Sequence, residues 1–397
     1  MGVKGLTTFV DNNPSLLKDY QLYSCKVIFD GNNLYHFLYH RYNIRQQFNG
    51  DYFNYAKKVK QVFVNLRKCG IVPCVVFDGG YNTDDKKHQT VLERARDRLR
   101  ISGKNSFRGS KNLLPILSYE TFRTVLDDLG VIHVTCDYEA DEHIAILANK
   151  WNCPVISNDS DFYVYNIKAG FFPMDYVDFR IKQKFTKDAT TGNKRNQLYI
   201  LVQKYHHQHY FDVFGKFNPS LIPLLATVLG NDFVNGKVFS YFMKKFKKPD
   251  TKKSKISNKR SKAHSLISWL KSCASTEDAI QQILDHFPPE RQSFLEKIIH
   301  DSIHSYTKID SDQTFLEKYL ESEFDINSVM LNDYFGNGLP EWMMRSLLKA
   351  ELSPFIQNAL VLRRVILQCQ VEDLRKASSH EISKPIRRVI YGILFNS

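Results

Sequence analysis

Three short apolar runs in this chain lead into aspartate: KVIFD ends at Asp30, CVVFD at Asp78, and PVISNDSD carries Asp159 and Asp161. Runs of this length, rich in β-branched residues, read as buried strands. Between them lie stretches with apolar residues at helical spacing, Leu34 to Arg41, Tyr55 to Lys68, Tyr119 to Leu129 and Ala140 to Lys150. Gly70 and Gly130 follow two of these and suit the left-handed turn that ends a helix. Strands alternating with helices predict an α/β fold with a central, mostly parallel sheet flanked by helices. In such sheets ligands bind beyond the carboxyl ends of the strands, so all three runs deliver acids to the edge where a site is expected.

Side chains two apart on an extended segment face the same way, so Asp159 and Asp161 would repel each other. Further acids join them. YEADEHIAIL brings Glu139 and Asp141 to a helix start, and LGND places Asp232 after an apolar helical run. Two positions turn a helix by about 200°, which puts Asp141 in the helix and Glu139 in the entering loop. Negative charge at a helix N-terminus contributes about 0.3–1 kcal/mol by itself. That accounts for a single acid but not for acids at every strand end. Clustered carboxylates raise one another's pKa unless a cation compensates them. Hard divalent ions such as Mg²⁺ or Mn²⁺ take oxygen ligands, and two of them about 4 Å apart clamp the attacking water and leaving oxygen of a phosphodiester. Metal binding is therefore the expected reason for pairing Asp159 with Asp161.

With these residues in view the chain resembles the XPG and flap-endonuclease superfamily. The likeness runs through MGVKGL, IFDGNNLYHFL, VVFDGG, YEADEHIA, VISNDSDF and LGNDFV. WNCPVISNDSDFYVY, GLPEWMMRSLLKAELSPF and SKPIRRVIYGIL single out one branch of it and carry the likeness to the end of the chain. The resemblance implies a PIN-like, XPG-type nuclease domain over 1–235, with an N-region 1–80, an arch or clamp region 81–118 and an internal region 119–235. A basic linker at 236–264 and a mainly helical C-terminal region at 265–397 follow. It implies two Mg²⁺ or Mn²⁺ ions. Asp78, Glu139 and Asp141 would hold the first, with Asp30 supporting them from outside, and Asp159, Asp161 and Asp232 would serve the second.

The superfamily grips the scissile phosphate with a lysine and an arginine on the helix after the second strand acid. The usual lysine distance from Asp78 falls on Asp85, which leaves Lys86 or Lys87 and Arg94 or Arg96 as candidates. Gly2 is expected to pack near the site and meet DNA. In SGKNSFRGSK, Lys104 and Arg108 would contact the phosphates of a single strand and Phe107 would stack on its bases. After Asp232 the chain reads NDFVNGKVFSYFMKKFK, with Gly236 but no Gly-x-Gly. No ordinary duplex clamp is expected, and single-stranded DNA or an overhang is favoured over a held flap. The implied activity is a structure-specific DNA endonuclease acting in repair. The alternatives are a catalytically weak nucleic-acid scaffold and a PIN-type ribonuclease.

Charge and cysteine content bear on the setting. The formal charge of +13 is concentrated between Lys244 and Lys262, which hold ten basic residues and one acid. This reads as a basic loop, a phosphate-contacting or nuclear-import segment, or a solvated linker. Seven scattered cysteines without a Cys-x-x-Cys pair argue against a zinc site or a disulfide framework and for reduced packing thiols. No apolar run is long enough to span a membrane, and MGVKGL lacks the Ser or Thr of a myristoylation signal. An intracellular, nuclear monomer with DNA as partner, no membrane contact and a repair protein docking on the C-terminal region is expected. The apolar ending VIYGILFNS leaves room for the natural protein to extend past Ser397. His206, His207 and His209 read as packing or surface histidines, His143 as a residue at the margin of the site, and Tyr35 and His36 as core or substrate-facing aromatics.

Overall fold

The computed structural model describes residues 2–47, 49–81, 88–104, 113–187, 194–215, 217–246, 255–310, 315–321, 327–335, 339–370, 373 and 375–395. The chain forms two compact units that alternate along the sequence. The first comprises Met1–Val27, Ile144–Asp178 and Lys182–Asp312; the second comprises Ile28–His143, Phe179–Ile181 and Gln313–Ser397.

The described residues contain eight strands: β1 (Leu17–Leu22), β2 (Lys26–Asp30), β3 (Val72–Phe77), β4 (Ile132–Thr135), β5 (Val155–Ser157), β6 (Phe171–Pro173), β7 (Val177–Lys187) and β8 (Lys194–Tyr205). In the second unit β2, β3 and β4 lie in that order, with β3 and β4 parallel. In the first unit the order is β1–β8–β6–β5, and β7 also pairs with β8. There β5 and β6 are parallel, whereas β8 is antiparallel to both β1 and β6. The sheet is thus mixed. The strands read from the sequence are buried, and Ile28, Phe29, Val75, Val76, Val155 and Ile156 have no exposed surface; β6, three residues long and equally buried, is too short to mark itself. Strands β7 and β8 carry polar residues such as Lys182 and Gln203 among the apolar ones, the pattern of a strand wet on one face, so no continuous apolar run marks them.

The expected helices form at Gly31–Arg41, Tyr52–Lys68, Ser118–Leu129 and Asp141–Lys150. Gly70 and Gly130 have φ of 69° and 58°, the left-handed conformation their positions called for. The helical region splits between the units. Lys255–Leu270, Thr276–Leu284 and Pro289–Thr307 belong to the first; Ser328–Phe335, Glu341–Leu348, Pro354–Leu362 and Lys384–Phe395 belong to the second. The basic stretch read as a loop is helical from Lys255, because the same helix continues into the buried Leu266, Ile267 and Leu270. No described helix is long and apolar enough to cross a membrane.

Candidate functional site

In the second unit the ends of β2 and β3 and the approach to the Asp141 helix carry four of the acids. Asp30 is buried and caps the helix Gly31–Arg41, accepting from the Asn33 backbone N–H at 3.0 Å and from the Asn33 amide. Asp78 follows β3; its carboxylate accepts from Asn32 Nδ2 at 2.6 Å and from the Ala140 N–H at 2.9 Å. That second bond lets Asp78 cap the helix beginning at Asp141, and Glu139 stands exposed in the entering loop. The backbones of the two loops are joined: Gly79 N–H donates to Tyr138 O at 2.6 Å and Gly80 N–H to Asp137 O at 3.1 Å. Asp30 and Asp78 both bear on the Tyr35 phenol, and Asp78 and Asp141 both bear on the buried Cys136 thiol. Burial, followed by the charge of Asp137 and then those of Asp78 and Asp141, holds that thiol well above its ordinary pKa. Asp137, which the sequence reading passed over, acts on the same thiol and pairs with His143 at 3.3 Å.

In the first unit β5 ends at Ser157, and Asp159 caps a short 3₁₀ turn, Ser160–Tyr163, accepting from the Asp161 N–H at 3.0 Å. The two aspartates are therefore not on one extended strand, yet they remain electrostatic neighbours. Asp161 is 4% exposed. Burial first, then the charges of Asp159 and Asp232, raise its carboxyl to about 8; the Tyr306 hydroxyl, donating to Asp161 Oδ1 at 3.2 Å, opposes the shift. The N-terminal segment fastens the two acid-bearing loops. Ser160 Oγ donates to Val3 O at 3.4 Å, and the Lys4 N–H donates to Gly230 O at 2.9 Å. Gly2 has φ of 45°, and a Cβ there would run into Ser160 Oγ and Asp159 Oδ1 and stand 3.2 Å from Asp161 Oδ1. Asn231 shapes the Asp232 turn: its Oδ1 accepts from the Phe233 and Val234 N–H groups, and its Nδ2 donates to Ser302 Oγ at 2.9 Å. Gly236, the lone glycine from which no ordinary duplex clamp was expected, packs against Gly230 and Leu229 O behind that turn.

Among the described residues no three His, Cys, Asp or Glu side chains already close on one point as a metal cage. The donor chemistry nevertheless fits a hard cation. The sets are all carboxylate oxygen, and the raised pKa of Asp161 arises from like charges that a bound cation would offset.

Of the basic candidates, Lys86, Lys87 and Arg108 lie outside the described residues, as do Phe107 and the side chain of Lys104. Arg94 and Arg96 are exposed on the helix His88–Lys104. The Tyr81 phenol, raised by burial, feels Arg98, Arg94, Glu139 and Arg364. Arg98 also bears on Tyr35 and on His36, whose imidazole is pushed down to about 3 by burial, then by Arg98 and His40. Arg94 and Arg98 are four apart and share a helix face, whereas Arg96, two from each, falls on another side. Arg98 is thus the arginine the sequence reading missed, and helical spacing from Arg94 is the signal that would have found it. Tyr35 packs edge-on against Tyr119. His207 and His209 bond to the carbonyls of Tyr163 and Leu16 and are packing residues.

An XPG N-terminal domain matches residues 1–100. Single-strand DNA endonuclease ASTE1 of Homo sapiens and that of Pongo abelii are each 35% identical over 398 residues, covering 100% of this chain and 56% of the relative. Protein asteroid of Drosophila melanogaster is 28% identical over 348 residues, covering 77% of this chain and 40% of its own. The chain therefore spans little more than half the length of the ASTE1 proteins it matches. Among solved structures, the catalytic core of Rad2 in complex with DNA substrate covers 87% of this chain and 99% of its own at 14% identity, with a TM-score of 0.43. The chain carries an XPG N-terminal domain and is, over its whole length, a homologue of the asteroid proteins.

Proposed function

We propose that this chain is a divalent-metal-dependent, structure-specific endonuclease that hydrolyses phosphodiester bonds in DNA. The observation that carries the reading is Asp161, a buried carboxylate with Asp159 and Asp232 as like-charged neighbours, held by Tyr306 and crowded by Gly2. Like charges gathered at such cost to the fold serve a cation better than they serve packing. Asp78, Glu139 and Asp141, with Asp30 behind them, would hold one Mg²⁺ or Mn²⁺, and Asp159, Asp161 and Asp232 a second. When bound, such ions lower the pKa of an attacking water and neutralise charge developing on the phosphate. The chain's own residues orient these groups. Tyr306 holds the Asp161 carboxyl, Asp78 fixes the entry to the Asp141 helix, and Arg94 and Arg98 present guanidinium groups to the phosphates.

Single-stranded DNA or an overhang at a DNA end is the substrate we favour, supported by the printed name of the ASTE1 relatives and by the absence of a Gly-x-Gly element after Asp232. A monomer acting in DNA repair in the nucleus is part of the same proposal. The test is cleavage of end-labelled single strands, 5′ flaps, 3′ overhangs, blunt duplex and matched RNA, each with Mg²⁺, Mn²⁺ or chelator. Metal-dependent cutting of DNA strands that Asp159→Ala abolishes is the expected result. Cutting of RNA alone would make the chain a PIN-type ribonuclease, and binding without any cutting would make it a scaffold.

A further inference from the structure

The loop after Asp78 is held from 277 residues further along the chain. Gly80 N–H donates to Gln357 Oε1 at 3.1 Å, and Tyr81 N–H donates to Asn358 Oδ1 at 2.6 Å. Both side chains are buried, at 2% and 5% exposure; the Gln357 amide shares the Gly80 N–H with Asp137 O, and the Asn358 amide replaces water for the Tyr81 N–H. Behind the loop, a Cβ on Gly79 would run into Cys136 O, and one on Gly80 would stand 2.8 Å from Gln357 Cδ. The glycine pair is wedged between the backbone leading to Glu139 and the amides of the helix Pro354–Leu362; at Gly79 backbone atoms bar any side chain, and at Gly80 a side chain would displace the Gln357 amide. A separate helix, Ser328–Phe335, supplies Tyr334 Oη, which accepts from the Asp137 N–H at 3.1 Å. Past the helix Pro354–Leu362, Arg363 takes a left-handed turn and the Arg364 N–H returns to Asn358 O at 3.4 Å. Arg364 is thereby tied to the residue that holds Tyr81, and its charge is felt by the Tyr81 phenol together with those of Arg94 and Arg98.

We propose that residues 354–364 are a working part of the candidate site: Gln357 and Asn358 are positioning residues for the loop that follows Asp78, and Arg364 joins Arg94 and Arg98 as a third cation for the phosphates of a single DNA strand. This rests on the nuclease reading and adds to it. The Tyr81 phenol feels three guanidinium groups against the one acid Glu139, a local excess of positive charge that a phosphate backbone threading past Tyr81 would offset. Packing alone explains the buried amides but not the convergence of charge.

The test is fluorescence anisotropy of a labelled single-stranded oligonucleotide titrated with the full chain in chelator, over a series of salt concentrations. One phosphate contact contributes about 0.7 to the slope of log affinity on log salt for a single strand. Arg364→Ala is expected to lower the slope by about that amount, while Arg364→Lys keeps it. Arg375→Ala, whose guanidinium is paired with Asp373 on the surface, leaves it unchanged. An unchanged slope in Arg364→Ala, or an equal loss in Arg375→Ala, overturns the strand contact. Asn358→Leu, or Gln357→Met should the first fail to fold, is expected to weaken binding non-additively with Arg364→Ala; additive losses overturn the positioning role. Wild-type protein that binds with this pattern but never cuts would sink the nuclease reading and leave the inference standing. Cutting together with a flat Arg364→Ala response would do the reverse.

Discussion

Asp161 is a carboxyl buried beside like charges, an arrangement that costs the fold stability. Asp161→Asn keeps the shape of the carboxyl and removes its charge, so cleavage should vanish while single-strand binding persists, and the melting temperature in chelator should rise by a few degrees. Calorimetry beside a cleavage assay checks both, and a lower melting temperature would show that the charge is already compensated. Gly2 is tested by Gly2→Val. A side chain forced against Ser160 and Asp159 at positive φ should cost about 1–3 kcal/mol in denaturant unfolding and depress cleavage with it. Asp161 was legible in the sequence because a strand-end acid announces itself within a few residues. Tyr306, its hydrogen-bond donor, lies 145 residues away on a helix with nothing local to mark it.

The helix His88–Lys104 and the turn Ser160–Tyr163 place chemistry through their geometry. Arg98→Ala should weaken single-strand binding several-fold more than Arg96→Ala, because only Arg98 shares a face with Arg94; anisotropy titrations of the two variants decide it. Counting from Asp78 along the chain hid Arg98, whereas helical spacing from Arg94 puts it on the same face. The Ser160–Tyr163 turn is pinned at Tyr163 O by Tyr205 Oη at 2.8 Å and His207 Nε2 at 3.1 Å. Burial lowers the His207 pKa from 6.5 to about 4. The unfolded chain therefore takes up the proton first as pH falls. Stability from this residue is intact above pH 6.5 and is lost progressively towards pH 4, by about 1.4 kcal/mol for each pH unit within that window. Denaturant midpoints between pH 7.5 and 4.5 should show this slope, and His207→Gln, which retains a donor, should flatten it.

Across the molecule, both units are assembled from separated stretches of chain. A fragment ending at residue 235, the boundary the family resemblance implies for the nuclease domain, would lose Ser302 and Tyr306 from the first unit and Gln357 and Asn358 from the second. Such a fragment should be insoluble or should unfold without a cooperative transition, as circular dichroism would report, whereas residues 1–397 should melt cooperatively. Cooperative melting of the fragment would mean that the later helices are accessories.

Local chemistry was enough to identify the apolar strands, the helices between them, their glycine stops and the seven acids at their ends. Each of these depends on residues near one another in the chain, where periodicity and backbone preference act directly. The donor to Asp161, the amides that hold Gly80 and Tyr81, and the company of Arg94, Arg98 and Arg364 needed the folded chain. Those partners come from distant segments, and no periodic pattern records which buried donor meets which acceptor. The paired strands β7 and β8 belong with them, because a half-wet strand is stabilised by its neighbour across the sheet rather than by its own run of apolar side chains.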